Sequence, residues 1–284
     1  MLVPSHPLAQ KARDNGYGIG AFNVSNLDTM GALIAAAEKH NSPVLAMVWS
    51  GAVEYIDFES LTLGLVSMAG RASVPVSLHL DHSYSLDLIS NALDLGFTSV
   101  MFDGSALGFD ENVRKTQEAR KMADAAGASL EGVIGEIGEE HSATTGGKPA
   151  EVTFTDPDQA IEYFNQTKVD LLAIAVGTQH GHYAAGCEVK LNVELAKDVS
   201  ARTHAPLVLH GGSYAPVAQV RELIAAGVAK VNVATELEDA FLEAVREIDL
   251  NDVKFTSQLT GAGVAGVQAR IEDKIHAFGS DGKA

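Results

Sequence analysis

The chain has 284 residues, 46% of them apolar, with 27 glycines, 8 prolines and a single cysteine, Cys187; this excludes a disordered or fibrous chain and an internal disulfide. With 37 acidic residues against 20 basic ones the formal charge is −17, which argues against nucleic acid or an anionic membrane as a partner. No run of 18 apolar residues free of charge occurs, and the opening stretch MLVPSHPLAQKARDNG lacks the apolar core of a secretory leader, so a soluble cytoplasmic protein is expected.

In chain order, short apolar runs at 18–24, 44–49, 76–80, 99–102, 129–134, 171–176, 207–209 and 230–233 read as strands. Helical segments separate them. In DTMGALIAAAEKHNSP, for example, Met30, Leu33, Ile34 and Ala37 share one face and Asp28 falls in the first turn. Such alternation requires a largely parallel sheet, and eight units fit one (β/α)8 TIM-barrel domain over residues 1–284. The alternative is a doubly wound open sheet, and the lack of a GxGxxG after the first strand weakens its dinucleotide-binding version. Two stretches break the rhythm. GEIGEEHSATTGGKPAEVTFTD, 135–156, reads as a mobile active-site loop, and 248–263 reads as an irregular segment lying across the barrel.

In a barrel, the C-terminal strand ends converge on the face that carries chemistry. His82 follows the third predicted strand in HLDH, His180 the sixth in LLAIAVGTQHGHY, and His210 the seventh in APLVLHGGS. Three imidazoles on such loops, with a fourth position open, suit catalytic zinc. A single histidine leaving a strand is more often a packing or surface residue; it is the threefold recurrence that points to metal. His182 is a weaker rival ligand, and His79 reads as a barrel-interior group or a support for a ligand. Asp81 reaches the same cleft and can move a proton beside a polarised carbonyl. Its competing role as a helix cap is not needed, because Ser83 and Ser85 can cap equally well.

With these motifs the chain resembles the zinc-dependent class II ketose-bisphosphate aldolases of the fructose- and tagatose-bisphosphate type. The resemblance runs through AFNVSN (21–26), SPVLAMVWSGAVEY (42–55), HLDH (79–82), MFDGS (101–105), DLLAIAVGTQHGHY (170–183), PLVLHGGS (206–213), KVNVATEL (230–237) and KIHAFGSDGK (274–283), and NVATEL leans toward the tagatose branch. It implies retro-aldol cleavage of a ketose phosphate to dihydroxyacetone phosphate and an aldehyde, with His82, His180 and His210 as zinc ligands and Asp81 as the acid–base group. It implies that Gly181, Gly211, Ser213, Asn232, Ala234 and Thr235 grip the phosphate and enediolate. Asn23 and Ser50 match family positions, though each could simply support a strand end or cap a helix. The resemblance further implies a monovalent cation (Na+ or K+), a sugar or sugar-phosphate substrate, and a homodimer or homotetramer.

The departures concern substrate more than metal. Val133 replaces the second glutamate of an E-x-E-x-G motif, and the loop reads GEEH at 138–141, so Glu140 and His141 compete for the proton-transfer role. Ala184 replaces a lysine that helps hold phosphate, Tyr214 replaces a glycine of the phosphate loop, and Glu272 stands where relatives tend to carry arginine. A charge-assisted hydrogen bond to phosphate contributes about 1.5–3 kcal/mol. Three readings stay open: a phosphorylated ketose, a non-phosphorylated or otherwise acidic one, and a retired metal-binding protein.

Overall fold

The structure, a computed structural model, describes residues 1–135, 154–183 and 188–284. Most of the loop expected at 135–156 therefore lies outside the described residues, and with it Glu140 and His141; Ala184 does too.

Strands β1 (Ile19–Asn23), β2 (Val44–Trp49), β3 (Val76–Ser83), β4 (Ser99–Phe102), β5 (Ser129–Ile134), β6 (Leu171–Ile174), β7 (Leu207–Leu209) and β8 (Val228–Val233) close in chain order into a barrel. Every neighbouring pair is parallel, and β1 joins both β2 and β8. The expected TIM barrel is therefore the fold. β2, β4, β5 and β7 keep the expected bounds. β3 does not: instead of ending at 80 it runs on to Ser83, so Asp81 and His82 belong to the strand rather than to the loop after it.

Around the barrel lie α2 (Leu27–Lys39), α3 (Phe58–Arg71), α4 (Leu86–Asp94), α5 (Phe109–Ala126), α6 (Pro157–Thr167), α7 (Val193–Thr203), α8 (Val217–Ala225), α9 (Thr235–Arg246) and α10 (Thr256–Phe278), with α1 (Ser5–Asn15) preceding β1. Polar caps begin several of them. Asn26 forms a capping box with Thr29, Asp57 caps α3, and Ser85 caps α4 by accepting from the Leu88 N–H. Ser85 thus takes the capping role after β3, and Asp81 is spared it. The expected irregular segment at 248–263 is corrected: only a 3-10 turn, Leu250–Asp252, precedes α10, which is helical from Thr256 and packs outside the barrel on α9 and α2. Among the described residues no helix is long and apolar enough to cross a membrane.

Two apolar layers result. The larger lies between strands and helices; the smaller fills the barrel with Ile19, Ala21, Leu45, Met47, Met101, Val133, Leu171 and Ala173. Helix α1, for which the sequence pattern raised no expectation, closes the N-terminal end of the barrel with Ala9 and Ala12. A polar chain rises through the interior from that plug. The Ser5 and Ser99 hydroxyls are 2.7 Å apart, Ser99 Oγ is 2.7 Å from His79 Nδ1, and Lys230 Nζ is 3.4 Å from His79 Nε2. Burial and the Lys230 charge hold the His79 pKa well below its usual value, so this imidazole is neutral. Its Nε2 then accepts from Lys230 while Nδ1–H donates to Ser99. Lys230 also donates to Glu131 Oε2 at 2.7 Å, and both side chains are fully buried.

Lys230→Met should destabilise the fold by about 3–5 kcal/mol, because it strips Glu131 of its buried countercharge. Urea unfolding of the two proteins measures this; an unchanged midpoint would mean that the pair contributes little.

Candidate metal centre and active site

β3 ends irregularly, with its register to β4 shifting between Leu80 and Ser83, and His82 takes φ +51°. A left-handed conformation costs a non-glycine residue about 1–2 kcal/mol. The Ser50 hydroxyl, from the 3-10 turn after β2, helps hold it by donating to the His82 carbonyl at 2.5 Å. The His82 ring consequently points across the mouth of the barrel. His210 follows β7 directly, and a Cβ at Gly211 would lie 2.4 Å from the Gln179 carbonyl, so only glycine lets this loop pass the His180 loop so closely.

The three expected ligands meet. His82, His180 and His210 bring one ring nitrogen each to within 4.8 Å of one another, and the ring centroids of His82 and His210 are 4.6 Å apart. The outer nitrogens of two rings are committed. His82 Nδ1 lies 2.6 Å from Asp103 Oδ2, and His210 Nε2 lies 2.8 Å from Glu131 Oε1. Each carboxylate fixes its imidazole in the tautomer that turns a lone pair inward. Those inward atoms, His82 Nε2 and His210 Nδ1, stand 2.9 Å apart. Two lone pairs at that distance repel unless a proton or a metal ion lies between them. The donor set thus fits a divalent ion of the zinc class, with ligand spacing opened a few tenths of an ångström toward the ~3.3 Å edge of a tetrahedral site.

Electrostatics say which ring holds the proton when the ion is absent. Burial alone would lower the His82 pKa, but the carboxylates of Asp81 and Asp103 outweigh it and hold it at about 9. Burial and the His82 charge push His180 down to about 4, and the same causes, with Lys230, keep His210 well below its usual value. Asp103 is buried, which opposes ionisation, yet the hydrogen bonds from His82 and Ser105 hold it at about 2. Asp103 and Glu131 were not among the expected site residues. They lie in MFDGS and EGVIG, but nothing local says that their side chains end on histidines.

Asp81 is 5% exposed, and desolvation raises its pKa. Its Oδ1 accepts from the Asn232 amide at 3.2 Å, and the same amide nitrogen is 3.3 Å from His210 Nδ1. Asn23 ends β1 and Asn232 sits on the adjoining β8; the carbonyl oxygen of each is buried without a hydrogen-bond partner among the described residues. Ser213 Oγ accepts from the backbone N–H groups of Ala234 and Glu236 at 3.1 and 3.4 Å, and Thr235 is the first residue of α9. Exposed N–H groups at a helix start attract anions. Gly181 is buried with φ +79° on the loop between His180 and His182.

Tyr214 and His182 stand apart from this group. Tyr214, with φ +58°, donates its hydroxyl to Asp239 Oδ2 at 2.5 Å, and its ring stacks on His182, whose Nε2 is 2.7 Å from the same oxygen. They wall a cleft of about 900 Å³ that also includes Lys190 and Gln219. His182 is therefore not drawn into the histidine cluster.

The family model described as "Fructose-bisphosphate aldolase class-II" matches residues 3–283. The chain is 36% identical to the sulfofructosephosphate aldolase of Alkalicoccus urumqiensis, covering 99% of this chain and 98% of that one. It is 37% identical to the fructose-bisphosphate aldolase of Streptococcus pyogenes serotype M1, over 100% and 99% of the two chains. The crystal structure of the YdjI aldolase from Escherichia coli K12 superposes with a TM-score of 0.88 at 38% identity, covering 100% of both chains.

Zinc titration of metal-free protein near neutral pH should release a proton, since the ion displaces one from a His82 whose pKa is about 9. Affinity should then climb with pH and level off above that value. Calorimetry in buffers of different ionisation enthalpy counts the proton. Asp103→Asn should weaken zinc binding roughly 10- to 100-fold.

Proposed function

The chain belongs to the class II fructose-bisphosphate aldolase family and is an aldehyde-lyase, and on that premise we propose that it reversibly cleaves a 1-phosphorylated ketose to dihydroxyacetone phosphate and an aldehyde, with zinc as its metal. The observation that carries this reading is the position of Asp81, buried and beside both Asn232 and the histidine cluster, with α9 beginning at Thr235 shortly after Asn232.

An ion held by His82, His180 and His210 supplies a Lewis acid at the barrel mouth. Asp81 removes the proton of the C4 hydroxyl as the C3–C4 bond breaks; the electron pair stays on the ketose fragment, and the aldehyde leaves. Desolvation raises the Asp81 pKa and so brings its proton affinity closer to its task. Asn232 steadies the carboxylate, and its carbonyl oxygen, like that of Asn23 without a hydrogen-bond partner among the described residues, supports their assignment to substrate hydroxyls. Ser213, Thr235, Gly181 and Gly211 are assigned to the phosphate end, Ser50 to positioning His82. Return of a proton to C3 is assigned to Glu140 or His141.

One observation favours a second reading. Tyr214 spends its hydroxyl on Asp239, so it does not offset the phosphate contact forgone at Ala184. A non-phosphorylated or otherwise acidic ketose then becomes the alternative. The relative named for a sulfofructose phosphate still carries a phosphorylated ketose in its name, so it supports an acidic tail beside the phosphate rather than loss of the phosphate.

Zinc-loaded protein should release dihydroxyacetone phosphate from fructose- or tagatose-1,6-bisphosphate or from a ketose 1-phosphate, and a chelator should stop it. Cleavage of free or acidic ketoses alone would overturn the phosphate assignment. Asp81→Ala should lower kcat about 10²–10⁴-fold with zinc retained, and the acid limb of the wild-type rate profile should lie above the ordinary carboxylate range. An Asp81→Ala variant that kept its rate would remove Asp81 from the proton transfer at the C4 hydroxyl.

A further inference from the structure

The opposite end of the barrel carries a second histidine cluster that the reaction does not use. His40 is the residue that caps the C-terminus of α2, shortly before β2 begins; His276 sits in the last turn of α10, and Asp281 in the tail beyond it. The tail is held in register on the α2–β2 turn. Gly282 N–H donates to the His40 carbonyl and Ala284 N–H to that of Asn41, each at 2.9 Å, and Ser42 Oγ donates to the buried Ser280 Oγ at 2.9 Å.

Within this frame the polar contacts are unusual in length. His276 Nδ1 is 3.3 Å from Asp281 Oδ2, His40 Nδ1 is 3.6 Å from Asp281 Oδ1, and His40 Nε2 is 3.5 Å from Glu272 Oε2. Good N–H···O hydrogen bonds fall at about 2.7–3.2 Å, and these do not. His40 Nε2 is buried without a hydrogen-bond partner among the described residues. Yet one ligand atom each from His40, His276 and Asp281 lies within 4.8 Å of the others. Of the contacts between the three residues, the 3.3 Å from His276 Nδ1 to Asp281 Oδ2 matches the ~3.3 Å distance between neighbouring ligands of a tetrahedral zinc ion, and the 3.6 Å from His40 Nδ1 to Asp281 Oδ1 lies within a few tenths of an ångström of it. The C-termini of α2 and α10 also meet here, and the negative ends of both helix dipoles favour a cation.

We propose that His40, His276 and Asp281 form a second site for a divalent transition-metal ion of the zinc class, which fastens the C-terminal tail to the base of the barrel. His40 contributes Nδ1, while the Glu272 carboxylate, bonded to Lys39 at 2.7 Å, faces the outer side of its ring 3.5 Å from Nε2, where binding of an ion would draw the two into a hydrogen bond. Two nitrogens and one oxygen select zinc, cobalt, nickel or copper over magnesium or calcium. His276 is half exposed, so a fourth ligand position opens to water.

The test is zinc stoichiometry on the full chain, by equilibrium dialysis and elemental analysis at micromolar free zinc. Wild-type protein should hold two ions per chain, and His276→Ala and Asp281→Asn one each, with aldolase turnover retained. Glu272→Gln should keep two ions while weakening the second about tenfold. In wild type, but not in His276→Ala or Asp281→Asn, filling the weaker site should raise Tm by about 5 °C at a hundredfold excess over Kd. Cobalt should reproduce the second equivalent and magnesium should not. A single ion in wild type, or two ions retained in His276→Ala, would overturn the site.

Discussion

The orientation of His210 and the polar chain beneath it depend on one buried carboxylate. Glu131 sits inside the barrel with no solvent access, bonded on one oxygen by Lys230 and on the other by His210. An isolated carboxylate in that position would be strongly disfavoured, so the lysine is what permits its charge. The charge in turn fixes His210 as the Nε2–H tautomer and leaves Nδ1 facing His82 and His180. Lys230 reaches downward as well, to His79 and through Ser99 to Ser5 of the helix that plugs the barrel. Core stability and ligand orientation are therefore parts of one polar chain.

His82 is oriented by a different device. Its backbone is forced into the left-handed region, and Ser50 and Asp103 grip it from neighbouring strand ends. Strain placed on a ligand and relieved by specific hydrogen bonds is common at functional sites. The result is a cluster with a proton on His82 when no ion is present and an open, inward-facing donor set when one is. Asp81, its immediate neighbour, points to the same space and is kept apart from helix capping by Ser85.

The rim diverges from the mouth. Tyr214, Asp239 and His182 form a hydrogen-bonded and stacked group, which the resemblance to the family did not suggest. It takes a tyrosine placed where a glycine was expected and gives its hydroxyl a partner on α9. Of the described departures from the family pattern, Tyr214 lies on this rim, Val133 in the barrel core and Glu272 beside His40, and none of them interrupts the histidine cluster.

The order of eight strands, most of the helix positions and the three histidines at or beyond strand ends could be read from the chain itself, because they rest on local periodicity, although β3 runs on through His82. The identity of Asp81 as the acidic neighbour was legible for the same reason. What could not be read was which side chains meet inside the closed barrel. Glu131 and Lys230 are 99 residues apart and His82 and His210 are 128 apart, and only strand tilt and closure bring them to 2.7 and 2.9 Å. Helix α1 leaves little trace in the sequence pattern because it plugs the barrel end with alanines rather than a strong apolar stripe. The extension of β3 through His82 depended on a bulge whose partner strand the local pattern does not name. Sequence determined the elements and the chemical inventory; the tautomers, the buried ion pair and the meeting of His40 with His276 were decided by tertiary structure, since each needs a partner that only closure of the barrel supplies.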